Sequence, residues 1–370
     1  MSARRRLGVS AAATVLGLAA CELAARAVFP APPDPTREPQ IVYRVDPQVR
    51  YVLMPNQKGW IDDGFVTTNS RGFRGREVDA PKPPGRIRMV ALGDSVTFGW
   101  GVNDADTFCS QLEHELRSQH PGVDLEVVNL AVPGYATRQE VALLRRNLAE
   151  LQPDVVLVGF YTNDLPDTLD DKASSGRSGT RIEAAERGPG QVLRMNPVPA
   201  SWLERQARRS RAVYTASHSL KALIHRGEGK PGSSMELDLL ESRNSGDLEA
   251  AWQNVTTQLE DLKAAATEFH FSAGIVVLPP REQVFGLYPN SEYQKRIRGL
   301  AERLGLFVVD PLPSLVASSQ QKPSLFIPYD RNHPSPAGHR LIAKSIATYL
   351  DGHQDLMPVA KQLARSQRAQ

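Results

Sequence analysis

Apolar positions fall into short unbroken runs that alternate with stretches of helical spacing. Residues 87–92 form one run, closed by Gly93, and apolar residues at intervals of three and four follow over 107–118, which predicts a strand and then a helix. The succession repeats with a run at 125–130 and a helix over 137–151, then with further runs at 155–160, 273–278 and 306–309. A last helix is predicted over 335–350. Apolar runs without polar alternation suit strands buried on both faces, and their alternation with helices predicts βαβ units. Right-handed crossovers then put helices on both sides of the sheet. The expected fold class is α/β, a three-layer α/β/α sandwich around a parallel sheet built from the five runs.

Three stretches depart from this rhythm. Residues 30–85 are rich in Pro and charge, with strand-like segments at 41–45 and 64–68 and a turn at Asn69-Ser70-Arg71-Gly72, and read as a linker and small irregular extension. Residues 165–246 are polar, with Gly, Ser and Arg clusters, and read as an insertion into the 86–350 domain. It carries one predicted helix near 201–214 and candidate disordered tips at 174–179 and 227–234. Residues 351–370 read as a C-terminal tail.

The first 29 residues form a separate unit. Arg4, Arg5 and Arg6 precede an uncharged run over 7–21, after which Glu22 and Arg26 return before Pro30, the layout of an export signal. At about 1.5 Å per residue that run falls short of the roughly 30 Å hydrocarbon core, so a spanning helix must include Glu22 and Arg26, which can pair at i, i+4 near the interface. Leu18-Ala19-Ala20-Cys21 resembles the lipobox of bacterial lipoproteins and makes Cys21 a lipidation candidate. Three readings stand: a cleaved lipoprotein signal, an uncleaved anchor and a buried soluble helix. The first two put the remaining chain outside the cytoplasmic membrane, exported and membrane-anchored on the periplasmic or extracellular side, because the arginines stay inside.

Composition narrows the classes. The 370 residues are 41% hydrophobic and 23% charged, which excludes wholesale disorder and a polytopic membrane protein. A net charge of +3 gives no basic field for nucleic acid. The two cysteines, Cys21 and Cys109, make neither a zinc site nor a disulfide framework, and no metal or cofactor is expected.

In an open parallel sheet, ligands sit beyond the carboxyl ends of the strands. Gly93-Asp94-Ser95 follows the first run, Pro133-Gly134-Tyr135 the second and Thr162-Asn163-Asp164 the third, while Asp330-Arg331-Asn332-His333 follows the fifth. Serine is a weak nucleophile until a base accepts its proton, and His suits that task near neutral pH. Asp330, three residues before His333, has the spacing to fix the imidazole tautomer. Ser95, Asp330 and His333 are therefore the candidate catalytic residues. The N–H groups of Ser95 and Gly134 and the Asn163 amide are the candidate oxyanion hole.

These blocks resemble the SGNH (GDSL) hydrolases, serine esterases and related acyltransferases. Gly93-Asp94-Ser95 matches the first block, Gly134 the second, Asn163-Asp164 the third and Asp330 with His333 the last, in the family's order. The resemblance spans about 86–350 and implies a flavodoxin-like sheet and an acyl-Ser95 intermediate. It implies an acyl ester of a cell-envelope or extracellular carbohydrate or lipid as substrate. An O-acyltransferase acting on polysaccharide is the alternative, and a catalytically silent carbohydrate-binding module is a third reading from another class. Tyr161 stands where the third block usually has Gly, and Val96-Thr97 replaces the common continuation of the first. Thr97 also excludes the G-x-S-x-G elbow of other α/β-hydrolases.

Other polar residues receive structural readings. Asp94 is a turn or cap residue, His339 a surface or packing residue of the last helix, Asp310 a turn residue and Cys109 a buried small hydrophobe. The basic stretch Arg205, Arg208, Arg209 and Arg211 reads as a solvated or membrane-facing helix edge. Oligomeric state is not legible.

Overall fold

A sheet buried on both faces needs apolar side chains pointing both ways, and the five runs supply them. The computed structural model describes residues 3–32, 34, 37–169, 191–194, 209–224, 234–289, 292–320, 324–330 and 332–357. The chain opens with α1 (Ala3–Val28) and four short strands, β1 (Val42–Asp46), β2 (Arg50–Leu53), β3 (Lys58–Ile61) and β4 (Gly64–Thr67). Then come β5 (Ile87–Gly93), α2 (Ser95–Phe98), α3 (Phe108–Gln119), β6 (Leu125–Asn129), α4 (Thr137–Leu151), β7 (Val155–Phe160) and α5 (Asp164–Leu169). The insertion contributes β8 (Val192–Arg194), α6 (Arg211–Ile224) and α7 (Ser234–Leu240). The chain continues with α8 (Gly246–Phe269), β9 (Ser272–Val277), α9 (Arg281–Val284), α10 (Tyr293–Leu304), β10 (Phe307–Val309), α11 (Leu312–Ser319) and α12 (Pro336–Gly352).

The main sheet has five parallel strands in the order β10-β9-β7-β5-β6. In order of appearance that is the flavodoxin-like 2-1-3-4-5 arrangement, with its switch point between β5 and β7. On one face Val90, Leu92, Val156 and Val158 pack with α4, α8 and α10. On the other, Met89, Ala91, Val155 and Leu157 pack with α3 and α12. Every residue of β5 and β7 is buried, as continuous apolar runs require. Each guanidinium nitrogen of the buried Arg88 at the start of β5 has an acceptor: Glu126 Oε1, Leu151 O and Asp79 O, each at 2.6 Å.

The stretch expected as an irregular extension is more ordered than its composition suggested. Strands β1 and β2 form an antiparallel hairpin, β3 and β4 another, and β8 of the insertion pairs antiparallel with β1. Tyr43, Tyr51 and Leu53 are buried in the same cluster as Val90 and Leu92 of the main sheet. Pro and charged residues around these short segments concealed the alternation that buries one face. Within the insertion, the described helix spans Arg211–Ile224, and most of the helix expected near 201–214 falls outside the described residues. Residues 195–208 lie outside the described residues, as do 174–179, 227–233 and 358–370.

Two tyrosines stitch this extension to the loop after β6. Tyr51 donates its hydroxyl to Pro133 O at 2.8 Å, and Tyr135 donates its own to Tyr51 O. Tyr51→Phe would leave the buried Pro133 carbonyl unsatisfied. We expect a stability loss of about 1–2 kcal/mol, seen as a lower urea midpoint at unchanged m; an unchanged midpoint would mean that water replaces the hydroxyl.

Candidate active site

The turn after β5 is tight because of one threonine. Gly93 has φ +152°, and a Cβ built there would lie 2.1 Å from Thr97 Oγ1, while one at Gly159 of β7 would lie 2.0 Å from the same oxygen. Thr97, buried beneath the turn, therefore requires glycine on both strands. Asp94 caps α2, accepting from Val96 N–H at 2.8 Å, and Ser95 is the first residue of that helix. From the extension, the buried Arg74 donates to the carbonyls of Phe98, Gly99 and Val102 at 2.6–2.7 Å and to Asp104. It holds the segment just after the serine.

Ser95 Oγ lies 2.9 Å from His333 Nε2, and His333 Nδ1 lies 2.8 Å from Asp330 Oδ2. The second oxygen of Asp330 accepts the N–H groups of Asn332 and His333 at 2.8 and 2.9 Å. Burial alone would raise the Asp330 pKa, but the charge and hydrogen bonds of His333 and its loop N–H groups hold it at about 2. Burial likewise pushes the His333 imidazole down, yet Asp330, helped by Asp94 and Asp62, carries it above its ordinary value. The His333 side chain keeps 16% of its surface open, so the site is reachable from solvent.

The three candidate oxyanion donors follow three adjacent strands, with Ser95 on the middle one. Gly134, at φ +78°, belongs to the loop tied to β5 by Val132 N–H donating to Gly93 O at 3.1 Å. Among the described residues neither the Ser95 nor the Gly134 N–H is matched with an acceptor. Asn163 donates one amide hydrogen to Asp94 Oδ2 at 2.9 Å, which orients its side chain and leaves the second hydrogen available. Tyr161, at the position where glycine was expected, turns its ring into the core shared with Val96 and Leu278. Its own N–H donates to Asp164 Oδ2 at 2.8 Å.

Asp310, His339 and Cys109 keep their structural readings, and most of the basic stretch 205–211 lies outside the described residues. Asp310 accepts from Leu312 N–H and Arg298, away from His333. His339 is buried, accepts Phe108 N–H at 3.2 Å, and burial lowers its pKa to about 3. Cys109 is buried, and its thiol is pushed up to about 12 by that burial.

Two features escaped the sequence reading. Trp100 stacks on the His333 ring with centroids 5.9 Å apart, and its indole N–H donates to Asp62, so the β3–β4 turn reaches the site. Beneath the turn, Asp94, Glu140 and Asp164 are all buried, and both carboxyl oxygens of Glu140 are unpartnered among the described residues. Burial raises all three pKa values, and neighbouring carboxyl charge raises those of Glu140 and Asp164 further, whereas at Asp94 the Asn163 and Val96 hydrogen bonds and His333 oppose the rise. A Glu in the first turn of a helix is ordinarily favoured by the helix dipole at the surface, and no spacing in the sequence signals the depth of Glu140.

The profile of the GDSL-like lipase/acylhydrolase family matches residues 91–341. No curated relative matches the sequence. Among solved structures, LAE5, an alpha/beta hydrolase enzyme from the metagenome of Lake Arreo, Spain, is 18% identical over 73% of this chain and 96% of its own, with a TM-score of 0.41. TesA is 12% identical over 74% of this chain and 99% of its own, at 0.41. Axe2, an acetylxylan esterase from Geobacillus stearothermophilus, is 14% identical over 71% and 93%, at 0.38.

A carboxyl held neutral by its site takes up a proton on folding, so stability is greatest at low pH and falls as pH rises past the unfolded value toward the raised folded one. Glu140→Gln removes that dependence. Its melting temperature should match the wild type near pH ~4 and exceed it near pH ~8, as read by calorimetry; a variant less stable at both would show that Glu140 is ionised in the fold.

Proposed function

The chain belongs to the GDSL-like lipase/acylhydrolase family and is an SGNH-type ester hydrolase, and we propose that it works through an acyl-Ser95 intermediate. The carrying observation is the continuous line of hydrogen bonds from Ser95 Oγ through His333 to Asp330. His333 Nε2 takes the Ser95 proton as Oγ bonds to the ester carbonyl carbon, and the carbonyl π pair moves onto oxygen. That oxyanion faces the N–H groups of Ser95 and Gly134 and the second Asn163 hydrogen. Collapse breaks the bond to the alkoxy oxygen, which leaves with the proton from His333. A water, deprotonated by His333, then attacks the acyl-serine and releases the acid. A second hydroxyl in place of water would make the same chain an O-acyltransferase. The ordered line of Ser95, His333 and Asp330 weighs against a silent carbohydrate-binding module.

The proposed substrate is an acyl ester of a cell-envelope or extracellular carbohydrate or lipid. We divide the chain as 1–29 signal or anchor, 30–85 extension, 86–350 hydrolase domain with the 165–246 insertion, and 351–370 tail. An exported, membrane-anchored placement is supported by the helix Gly8–Val28, which is long and apolar enough to cross a membrane. Glu22 and Arg26 pair on it at 2.8 Å. Cys21, exposed on that helix, stays the lipidation candidate.

Ser95→Ala should abolish turnover of acetyl and longer acyl esters, and a fluorophosphonate should label the wild-type protein at Ser95 alone. Labelling elsewhere, or undiminished turnover, would remove the proposal. Adding a saccharide acceptor and weighing the products separates transfer from hydrolysis.

The pH profile tests the pairing. His333 must be neutral to accept a proton, and its pKa is raised, so kcat/KM should rise with pH through one ionisation above about 6.5. Asp330→Asn removes the charge that holds the imidazolium. The limb should move to lower pH and the rate fall by up to about 10⁴; a limb that stays in place would mean another carboxylate controls His333.

A further inference from the structure

The N-terminal helix and the loop bearing Asp330 meet. Two residues beyond the apolar stretch Gly8–Val28, of which 6% is buried, Pro30 O accepts the Tyr329 hydroxyl at 3.4 Å. Tyr329 directly precedes Asp330. A second tie runs through α6. Glu22 of α1 accepts from Ser210 Oγ at 2.7 Å and from the N–H groups of Arg211 and Ala212 at 3.1 Å. Arg211 donates to the carbonyls of Arg26 and Phe29 at 2.7 and 3.1 Å. Helix α6 in turn holds Tyr329: Thr215 Oγ1 lies 3.0 Å from the Tyr329 hydroxyl, and the Tyr214 ring packs edge-on at 5.1 Å.

Helix α6 turns polar and aromatic side chains inward and leaves Val213 and Leu220 outward beside Ala216, Ser217 and Ser219. Its polar and aromatic side chains Tyr214, Thr215 and His218 face Tyr329. Val213 and Leu220, seven apart and so on one helix face, point outward at 52% and 56% exposed. Glu22 lies six residues before Val28, about 9 Å down the α1 axis at about 1.5 Å per residue. That places the start of α6 at the depth where interfacial helices lie, roughly 5–10 Å into the headgroup boundary. Arg209 and Arg211 lie at that end, basic residues of the kind that anionic headgroups attract. A further apolar pair, Phe285 and Leu287, is exposed just past α9, whose Arg281 donates to Asp330 O at 2.8 Å.

We propose that the outward face of α6 lies in the bilayer interface beside α1, fixing the catalytic loop at the membrane surface, and that the substrate is an acyl ester held in the bilayer by an apolar chain. This rests on the acyl-Ser95 and membrane-anchor readings above. A mere tether would let the domain swing free; the contacts of α1 and α6 with Tyr329 make anchor and catalytic loop one unit.

The test uses the full-length protein in phosphatidylcholine–phosphatidylglycerol vesicles and two fluorogenic esters of one acyl group. One has a water-soluble alcohol, and the other has an alcohol bearing a hexadecyl chain that partitions into the vesicle. The double variant Val213→Asp, Leu220→Asp should lower kcat/KM for the vesicle-borne ester about tenfold, through loss of apolar area at the interface, and leave the soluble ester unchanged. Val213→Ser with Leu220→Ser should act in the same direction and more weakly. Equal loss on both esters, or loss on neither, overturns the interfacial role of α6. Protein that fails to float with the vesicles overturns the anchor reading, and wild type inactive on both esters overturns the hydrolase reading, each taking this inference with it.

Discussion

Asp330 keeps a full negative charge where only 20% of its side chain meets solvent. Taking a carboxylate out of water costs several kcal/mol unless hydrogen bonds and an opposite charge replace the hydration. Here the two loop N–H groups and the imidazole supply them. The three-residue spacing to His333 lets one carboxylate bind both the backbone of its own loop and the ring it orients. The loop is closed further by Ile327 N–H donating to His333 O at 3.0 Å and Asp330 N–H to Ile327 O at 3.1 Å. Arg281 and Tyr329 grip it from outside. A rotation that broke this set would neutralise Asp330 and free the imidazole from Ser95.

A second group of carboxyls stands in the opposite state. Asp94, Glu140 and Asp164 lie under the turn where negative charge develops in acyl transfer, and burial keeps them from ionising together. Three anions there would oppose the oxyanion in a medium of low dielectric. Holding Glu140 and Asp164 neutral spares that cost, while Asp94 accepts from both Val96 N–H and the Asn163 amide. The site thus sets Asp330, whose pKa is held down beside the base, against carboxyls beneath the nucleophile whose pKa values burial raises, and environment alone decides which way each shifts.

The parts legible in the sequence were those with local causes. Strands buried on both faces read as unbroken apolar runs, and β7 appeared at its observed limits, 155–160. The Asp330–His333 spacing is likewise local. Ser95, Gly134 and Asn163 were found because strand ends in a parallel sheet converge whatever lies between them. What stayed hidden depends on partners far along the chain. Tyr51 is buried because Pro133 and Tyr135 lie against it, Glu140 because α4 packs its first turn over Asp94, and Trp100 is placed by Asp62. Short strands among prolines carry too few residues for alternation to stand out, so only the strand-like segments at 41–45 and 64–68, which match β1 and β4, were legible, and their partners β2 and β3 were not.

A five-stranded sheet with its ligand crevice at one end leaves that end open to water, while an acyl-transfer site works best when its dipoles are fixed and bulk water is held back. The segments without family motifs supply the walls. Arg74 of the extension secures the segment after Ser95, and Asp62 sets Trp100 against the His333 ring. Tyr214 and Thr215 of the insertion brace Tyr329. The extension and the insertion are also joined to each other, β1 to β8. The catalytic groups sit on the sheet, but the rigidity that aligns them within hydrogen-bond distance comes as much from these added segments. Substitutions in the extension and the insertion therefore bear on catalysis through geometry even where they touch no reacting atom.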